Sequence, residues 1–462
     1  MSNTYLNVYR GTHGMGVVIS IRYQKDRVIF DFGAPFSPLS EIYDGEVKPR
    51  IQNRVKDALL LGRIPAIPGV FSRKDLCGLS ILPQEDSDLN TAVFISHLHL
   101  DHMSEIDKIA PDIPVYIHSE GLKMQELIDK MENNTIYRSY SPFEYERPIT
   151  IGQITVTPYF SDHPCAGAAS FLIETPDQTI VYSGDIRYHG NQREKAFQVM
   201  EDLGKSKDID LLLIDSTCTS PLEFDRDGDF QKFSVPSKDY LFDSISEQDI
   251  YDDVYRSLKD FDGLGIFNQY PRDVNMLRSM HHLGEKLGRT TVFEPYYANI
   301  LYNLTGIRPN VIFPAIQNAP EYFDTVKQFT NIILIDEIQK APEKFLLQNS
   351  YQNITSLIDL DSIPGVYFHL LGEPLVKDTK EYKIMLNIIN KLYWKFSTYI
   401  NLYSFSHSYP NHLSYVIEKL NPKYVVAVHS KNPEKLNPVN STQLFPEEGI
   451  EYRLDDGNII KE

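Results

Sequence analysis

The chain has 462 residues, with 45 Lys and Arg against 63 Asp and Glu, and therefore a formal net charge of −18. Hydrophobic residues make up 42% and charged residues 23%, a balance that is typical of soluble globular proteins and excludes disordered and fibrous classes. No apolar run approaches the ~18 residues of a membrane span, and the N-terminal residues lack a secretory signal. The three cysteines are too few and too distant for a disulfide framework. We therefore expect a cytoplasmic protein, and the acidic balance alone argues against a nucleic-acid partner.

The first half of the chain contains mainly short apolar runs of strand length, bounded by turn residues. Strands are predicted at Gly16–Tyr23, Arg27–Phe32, Thr91–Ser96, Ile113–Ile117, Ile154–Tyr159, Ala169–Glu174, Thr179–Ser183 and Ile209–Asp215. Helices are predicted at Ser119–Met131 and Gln192–Leu203.

From about residue 218 the pattern becomes an alternation of helices and strands, after an acidic surface link at Glu223–Asp229. The predicted elements are a helix at Ser246–Phe261, a strand at Gly263–Asn268, a helix at Pro271–Leu287 and a strand at Thr290–Glu294. This rhythm is typical of a small parallel α/β domain. Towards the C-terminus we predict a strand at Ile400–Ser404, a helix at Pro410–Leu420 and a strand at Tyr424–Val428.

Residues 48–74 differ from the rest of the chain in charge. They contain seven Lys and Arg residues against the single acid Asp57, a local excess of 7 − 1 = +6. A solvated insertion loop and a phosphate-contacting element are both consistent with this segment. The candidate substrate-binding residues are Arg50, Arg54, Arg63, Arg73 and Lys74.

The strongest chemical signal is a cluster of four potential metal ligands, His97, His99, Asp101 and His102, directly after a predicted buried strand. If the chain is extended there, His97 and His99 point the same way, whereas Asp101 and His102 turn towards a second site as a helix begins. Imidazole and carboxylate are ligands that zinc prefers, and a catalytic zinc keeps one position for water. The spacing therefore predicts a metal centre.

Further candidate ligands follow other predicted strands. His163, Asp185 and His429 each come shortly after an apolar strand, and Asp31 lies near the end of another. Strand ends and loops are the places where functional side chains converge. Each residue alone carries little weight, but their recurrence beside the His97 cluster predicts a site with two metal ions.

These motifs resemble those of the metallo-β-lactamase superfamily. Asp31 resembles its first motif, the segment His97–His102 its second, His163 its third and Asp185, in Tyr-Ser-Gly-Asp, its fourth. The resemblance implies an α/β fold, a metallo-β-lactamase αββα sandwich.

The chain is further similar to the β-CASP branch of that superfamily, to which ribonuclease J belongs. Asp215, in Leu-Ile-Asp-Ser-Thr, resembles motif A; His407, in Phe-Ser-His-Ser, motif B; and His429, in Val-Ala-Val-His-Ser, motif C. Cys218 stands where motif A usually has an aromatic residue, and Ser430 where motif C commonly has glycine. The 462 − 429 = 33 residues after His429 are too few for the further C-terminal domain of ribonuclease J, so we expect none.

The branch implies that a parallel α/β domain of β-CASP type is inserted late in the sandwich. Residues 1–217 would form the first part of the metallo-β-lactamase domain, residues 218–399 the inserted domain, and residues 400–462 the C-terminal part of the metallo-β-lactamase domain.

The resemblance implies two Zn²⁺ ions, although Mn²⁺ also suits His and Asp ligands. The implied ligands are His97, His99 and His163 for one ion and Asp101, His102 and His429 for the other, with Asp185 bridging. Two such ions would activate a hydroxide that attacks a phosphodiester.

The same resemblance gives roles to three further residues. His407 would donate to the charge that builds on the phosphate oxygens. Asp215 would orient His407, because a neighbouring carboxylate fixes the tautomer of an imidazole and favours its protonated form. Asp31 would hold a ligand histidine through its other nitrogen.

These features together predict a metal-dependent nuclease, and a ribonuclease acting on single-stranded RNA is favoured because a histidine at motif C goes with RNA-processing members of the branch. A DNA nuclease of the same branch, an ester or lactam hydrolase and a non-catalytic binding protein are the alternatives. We expect a single-stranded nucleic acid as partner and no membrane, and a homodimer is an assembly that the sequence leaves open.

Overall fold

The computed structural model describes residues 3–35, 43, 47–132, 138–219, 246–313, 329, 331–375, 379–392, 394–398, 406–455 and 458–461. The strands are β1 (Thr4–Arg10), β2 (Val18–Tyr23), β3 (Asp26–Phe30), β4 (Asn90–Phe94), β5 (Val115–His118), β6 (Ser141–Phe143), β7 (Ile149–Ile151), β8 (Ile154–Phe160), β9 (Ala169–Glu174), β10 (Thr179–Tyr182), β11 (Leu211–Asp215), β12 (Leu264–Gln269), β13 (Thr290–Phe293), β14 (Asn310–Phe313), β15 (Ile332–Leu334), β16 (Phe345–Gln348), β17 (Gly365–Leu370), β18 (Lys395–Thr398), β19 (Tyr424–Val428), β20 (Thr442–Leu444), β21 (Glu451–Asp455) and β22 (Asn458–Lys461).

The α-helices are α1 (Arg54–Leu60), α2 (Arg73–Leu76), α3 (Leu100–Met103), α4 (Ser119–Met131), α5 (Arg193–Ser206), α6 (Glu247–Leu258), α7 (Val274–Leu287), α8 (Pro295–Thr305), α9 (Ile335–Lys340), α10 (Lys380–Lys391) and α11 (Pro410–Leu420). The 3₁₀ helices are Ile51–Asn53, Gln84–Asp86, Ile106–Lys108, Thr217–Thr219, Pro342–Lys344, Tyr351–Leu360 and Pro433–Lys435. In the part of the chain that the structure describes, no helix has the length and apolar character needed to cross a membrane.

Two mixed sheets pack face to face. The first has eight strands in the order β22-β21-β1-β2-β3-β4-β5-β6, and the second has seven in the order β20-β19-β11-β10-β9-β8-β7. Because side chains alternate along a strand, Phe30 and Phe94 point into the space between the sheets while Ile29 and Val93 point outwards. Phe171 of the second sheet packs against Phe30, with ring centroids 5.1 Å apart.

Helices cover the outer faces of both sheets. Residues of α1 and α4 pack with Ile29 and Val93 on the first sheet, and α5 and α11 pack together on the second. This arrangement is the αββα sandwich that the sequence predicts, and the fold class is confirmed. Burying each sheet between its partner sheet and a helix layer explains the continuous apolar character of β4, β10 and β11.

A third sheet contains the strands from β12 to β18. Its seven strands are all parallel, in the order β15-β14-β13-β16-β12-β17-β18. Helices α6, α7 and α8 cover one face and share a continuous apolar core with the outer face of the first sheet. Helices α9 and α10 and the 3₁₀ helix Tyr351–Leu360 cover the other face. The parallel α/β unit predicted from the sequence is therefore present, and the domain boundaries at residues 217 and 399 stay a prediction.

The observed start of α7 differs from the predicted one. The helix begins at Val274 because the Asp273 side chain accepts a hydrogen bond from the Met276 amide at 2.9 Å, so Asp273 and not Pro271 marks its start. It ends at Leu287, as predicted, and is capped by Gly288, whose φ of +68° few other residues adopt readily. The predicted strand Ile400–Ser404 and the link Glu223–Asp229 lie outside the described residues.

Candidate metal centre

The candidate ligands lie at one edge of the sandwich. Strands β3 and β4 are parallel neighbours in the first sheet, and β10, β11 and β19 are parallel neighbours in the second. The carboxyl ends of parallel strands meet at the same edge of a sheet. The residues at or within three positions of these strand ends are Asp31, His97, Asp185, Asp215 and His429. His163 lies three positions after the end of β8.

The backbone at this edge adopts conformations that most residues avoid. Asp31 and His429 have φ values of 59° and 58°, in the left-handed region, although neither is glycine. Gly184, with φ of 57°, precedes Asp185. A β-carbon at Gly184 would lie 2.7 Å from the Ala169 carbonyl oxygen, so only glycine permits this approach. The strand ends are thus shaped to turn side chains towards one point.

His97, His99, His163 and Asp185 form a first cluster, in which one ligand atom from each residue lies within 4.8 Å of the others. His163 Nε2 is 3.0 Å from His99 Nδ1. Asp185 Oδ2 is 3.6 Å from His97 Nε2 and 3.9 Å from His163 Nε2. Three imidazole nitrogens and one carboxylate oxygen therefore face a common point.

Asp101, His102 and His429 form a second cluster of the same kind. His429 Nε2 is 2.9 Å from Asp101 Oδ2, and His102 Nε2 is 3.9 Å from that oxygen. The second oxygen of Asp185, Oδ1, is 3.3 Å from His102 Nε2. The two oxygens of Asp185 consequently face different clusters.

The nitrogens that face the clusters fit divalent cations. His97 Nε2 and His102 Nε2 are buried and, among the described residues, have no hydrogen-bond partner. The close pair of His163 and His99 nitrogens is unfavourable when both rings are neutral and their lone pairs face each other. A cation in the first cluster would give His97 Nε2 a partner and lie between the two facing lone pairs. A cation in the second cluster would give His102 Nε2 a partner, which buried polar atoms require.

The opposite ring nitrogens are held by hydrogen bonds that orient the rings. Nδ1 of His97 contacts Ser96 Oγ at 3.0 Å, Nδ1 of His163 contacts the Ser406 carbonyl at 2.8 Å, and Nδ1 of His429 contacts Thr217 Oγ1 at 2.6 Å. Engaging Nδ1 leaves Nε2 free for a cation.

Asp31 is fully buried beside the second cluster and contacts several side chains there. Its Oδ2 lies 2.9 Å from His102 Nδ1 and accepts hydrogen bonds from Ser96 Oγ at 2.8 Å and Tyr182 Oη at 2.6 Å. Its Oδ1 accepts from the Ser96 amide at 2.7 Å. Asp31 thus contacts His102 through the nitrogen that points away from the cluster. No pattern in the sequence indicates Ser96, two residues after β4, or Tyr182, the last residue of β10.

The protonation preferences of the histidines match their surroundings. Burial lowers the pKa of His99 to about 4 and, with neighbouring imidazoles, lowers the pKa values of His97 and His163 well below the usual range. These three rings are therefore neutral ligands at neutral pH. Burial opposes the charged form of His102, but the carboxylates of Asp185, Asp31 and Asp101 raise its pKa well above the usual value. A cation bound there would displace that proton.

His407 and Asp215 form a buried pair beside these clusters. His407 Nδ1 lies 2.8 Å from Asp215 Oδ2 and 3.8 Å from Asp185 Oδ2. Asp215 also accepts hydrogen bonds from the Ile186 amide at 3.2 Å and from Thr217 Oγ1 at 2.7 Å. Burial disfavours the imidazolium, yet Asp215 and Asp185 raise the pKa of His407 to about 9. The ring is therefore a proton donor at neutral pH.

The basic segment of residues 48–74 carries less free charge than its composition indicates. Arg63 pairs with Glu105 at 2.7 Å, and three further arginines pair with carboxylates; these pairs are Arg50 with Asp57, Arg54 with Asp107, and Arg73 with Asp86. Lys74 is exposed. Three of the four acids come from outside the segment, so the count of +6 overstated the positive potential. The substrate-binding role of these five residues stays a prediction.

Comparison with known proteins identifies a domain in the part of the chain that contains most of these residues. A family model described as a beta-lactamase superfamily domain matches residues 67–234. The chain contains a beta-lactamase superfamily domain. The matched residues of this domain include the His97–His102 segment, His163, Asp185 and Asp215, whereas Asp31, His407 and His429 lie outside the match.

Two curated proteins are similar to parts of the chain. Ribonuclease J of Pyrococcus abyssi is 22% identical over 239 residues, which cover 48% of this chain and 48% of that protein. Protein artemis of Homo sapiens is 22% identical over 172 residues, which cover 34% of this chain and 23% of that protein. The chain thus spans half or less of the length of either relative.

One solved structure resembles the beta-lactamase superfamily domain and the third sheet together. It is the crystal structure of a protein of unknown function from Enterococcus faecalis V583, which is 24% identical and superposes with a TM-score of 0.77. The superposition covers 99% of this chain and 100% of that one. The two chains therefore share a fold along their whole length.

Proposed function

We propose that this protein is a metal-dependent phosphodiesterase of the β-CASP branch, and that it cleaves single-stranded RNA. The observation that carries the proposal is the position of Asp185, whose two oxygens face two separate clusters of ligand atoms. A carboxylate between two cation sites is typical of two-metal centres that act on phosphoryl groups. The His407–Asp215 pair beside it supplies the proton donor that a leaving alkoxide requires.

The residues that would hold the cations are those of the two clusters, with Asp185 common to both. Zn²⁺ is favoured by the imidazole-rich first cluster, and Mn²⁺ is the alternative. Bound divalent cations would act as Lewis acids on the phosphate and lower the pKa of a water molecule.

The chain's own side chains orient the candidate ligand rings and supply a proton to the leaving oxygen. Asp31 and Thr217 hold the His102 and His429 rings, so that Nε2 of each faces the cluster. Because Asp215 engages Nδ1 of His407, the proton available for transfer is on Nε2. In the proposed reaction, His407 gives that proton to the leaving oxygen as the bond between phosphorus and that oxygen breaks.

A nucleic-acid substrate is supported by the relatives, one of which is named ribonuclease J. We favour RNA over DNA because this relative is named as a ribonuclease and its similarity covers 48% of the chain. The cytoplasmic location and the homodimer stay predictions from the sequence.

A panel of substrates tests the proposal. We expect purified protein to bind close to two divalent cations per chain and to cleave single-stranded RNA faster than single-stranded DNA, lactams or esters. The panel contains RNA and DNA with 5′-phosphate, 5′-triphosphate or circular ends, and cleavage is followed on denaturing gels with and without a chelator.

Each outcome of the panel has a clear meaning. Faster cleavage of DNA would support the DNA nuclease instead. Rapid lactam or ester turnover without cleavage of any nucleic acid would overturn the proposal. Absence of bound metal in a sample purified without chelator, and after metal addition, would overturn the two-cation assignment.

His407 and its partner predict a defined pH dependence. A general acid must be protonated, so activity should be retained below the pKa of His407 and lost as the pH rises through it. Replacing Asp215 by asparagine removes the main carboxylate that raises this pKa. We therefore expect the alkaline limb of the kcat profile to lie at lower pH in D215N than in the wild type. His407→Ala should lower kcat by about 10²–10⁴-fold.

A matched control lies at the other end of the same strand. Asp210 directly precedes β11 and pairs with Lys423 at the protein surface, at 2.6 Å. D210N should leave the profile unchanged. Bound cations shift the alkaline limb of the kcat profile in the same direction for every variant. The test is therefore the difference between the profiles of D215N, D210N and the wild type. Coincident profiles for D215N and the wild type would remove His407 from the proposed role.

A further inference from the structure

Tyr270 lies at the mouth of the metal centre although it belongs to the third sheet. It directly follows β12, and its ring centroid is 5.2 Å from that of His99, at an interplanar angle of 80°. His99 and Asp101 are partly exposed, whereas the other five candidate ligands are buried. The centre therefore opens to solvent beside Tyr270.

The residues after Tyr270 fix its backbone against the sandwich. Arg272 donates a hydrogen bond to the carbonyl of Leu98, between two of the candidate ligands. Asp273 is buried and caps α7. The backbone at Tyr270 is thus held between the metal-ligand segment and the helix layer of the third sheet.

The side chain of Tyr270 is only partly engaged in contacts within the described residues. It is half-buried, and its hydroxyl has no hydrogen-bond partner among the described residues. The edge-to-face contact with His99 uses one side of the ring. Part of the side chain is therefore accessible at the opening of the centre.

We propose that Tyr270 stacks on the base of a nucleotide that neighbours the scissile phosphate. Aromatic side chains stack on every base, because each base has a π face, and such contacts need no positive charge. This matters in a chain of net charge −18, in whose basic segment four of the seven cations are held in ion pairs. The inference rests on the proposed function and specifies how the site would select polynucleotides over small phosphodiesters.

Cleavage of matched oligonucleotides tests the contact. The substrates are an RNA oligonucleotide with one cleavage position and versions that lack the base on either side of it. Tyr270→Leu should lower kcat/KM on the intact oligonucleotide by about 10- to 100-fold, and Tyr270→Phe by less than about twofold, since the ring is retained. On the version that lacks the contacted base, wild type and Y270L should be equal.

A binding measurement follows the same contact without catalysis. With 2-aminopurine at the contacted position, stacking on Tyr270 should quench the fluorescence when metal-free protein binds the oligonucleotide, and Y270L should restore it. Tyr255→Leu is the control, because Tyr255 is a half-buried tyrosine on α6 that contacts Lys286 and not the metal centre.

The outcomes separate this inference from the proposed function. Equal losses for Y270L on intact and base-free substrates, or no loss on either, would overturn the stacking role. Failure of the wild type to cleave any nucleic acid would instead refute the proposed function, and the fluorescence arm would then decide on Tyr270 alone. Quenching that is unchanged in Y270L, or no binding by the wild type, overturns the stacking role.

Discussion

Replacing Asp185 by asparagine should abolish the binding of at least one divalent cation and lower the rate of phosphodiester cleavage by about 10³-fold or more. The reason is that the two oxygens of Asp185 face His97 and His163 on one side and His102 on the other. Losing Lewis-acid stabilisation worth several kcal/mol corresponds to roughly three orders of magnitude in rate. Metal analysis, titration with Zn²⁺ and single-turnover cleavage measure the two effects separately.

The shape of the replacement side chain predicts that D185N still folds. Burial disfavours the Asp185 carboxylate, and the positive histidines around it hold its pKa well below the usual range. Asparagine has nearly the same shape, so the packing is kept. It removes the carboxylate that faces the protonated His102, so the metal-free protein should be less stable without a change of fold. Asp202→Asn is the matched control, because Asp202 is an exposed residue on α5 that pairs with Lys205. Full metal content and full activity in D185N would contradict the two-cation assignment.

Elements with local signals were predictable from the sequence. The helix Ser119–Met131 and the strand Tyr424–Val428 were predicted with the bounds that the structure has. In both, the apolar spacing and the flanking turn residues decide the conformation without help from distant segments. The ligand pattern from His97 to His102 is local in the same sense, since a strand end followed by a helical turn brings those four residues together.

Features that depend on distant partners were not predictable. Strand β1 is paired with β21, and Tyr5 lies opposite Arg453, which no local pattern indicates. Counting charges between residues 48 and 74 overstated their excess, because Asp107 and Glu105 neutralise Arg54 and Arg63 only in the folded chain. For the same reason the sequence did not reveal Tyr270 beside His99. The contact between Tyr270 and His99 depends on how the third sheet packs against the sandwich, and local sequence patterns do not specify that packing.

Among the predicted variants, we expect replacement of Arg187 to lower the free energy of unfolding most. Its side chain is 1% exposed and pairs with Asp162 at 3.3 Å and with Glu247 at 2.9 Å. Asp162 directly precedes the candidate ligand His163 in the sandwich, whereas Glu247 is the first residue of α6, on the third sheet. Arg187 thus joins the two parts of the molecule by a buried ion network.

Arg187→Met should lower the free energy of unfolding by about 3–5 kcal/mol, because removal of one partner leaves the other charges buried and unpaired. Urea unfolding followed by circular dichroism gives the value. Arg256→Met provides the contrast, since Arg256 pairs with Asp253 on the exposed surface of α6, where an ion pair contributes about 0–1 kcal/mol. A loss below about 1 kcal/mol for R187M would show that the buried network adds no more than a surface pair.

The pH dependence of that loss identifies its cause. Burial and Glu247 raise the pKa of Asp273 to about 7, and burial raises the pKa of Asp162. A carboxyl whose pKa is raised by folding stabilises the protein at acid pH, and this contribution is lost as the pH rises through the folded-state pKa. The loss of unfolding free energy in R187M should therefore be smaller at about pH 5 than at about pH 8, because protonation removes the unpaired charges.

A second substitution in R187M tests the same cause. Asp273→Asn should recover part of the lost unfolding free energy at the higher pH, since it removes one of those charges and keeps the oxygen that caps α7. A deficit that does not change with pH would mean that the methionine disturbs packing, and that the charges of the network are not what joins the third sheet to the metal centre.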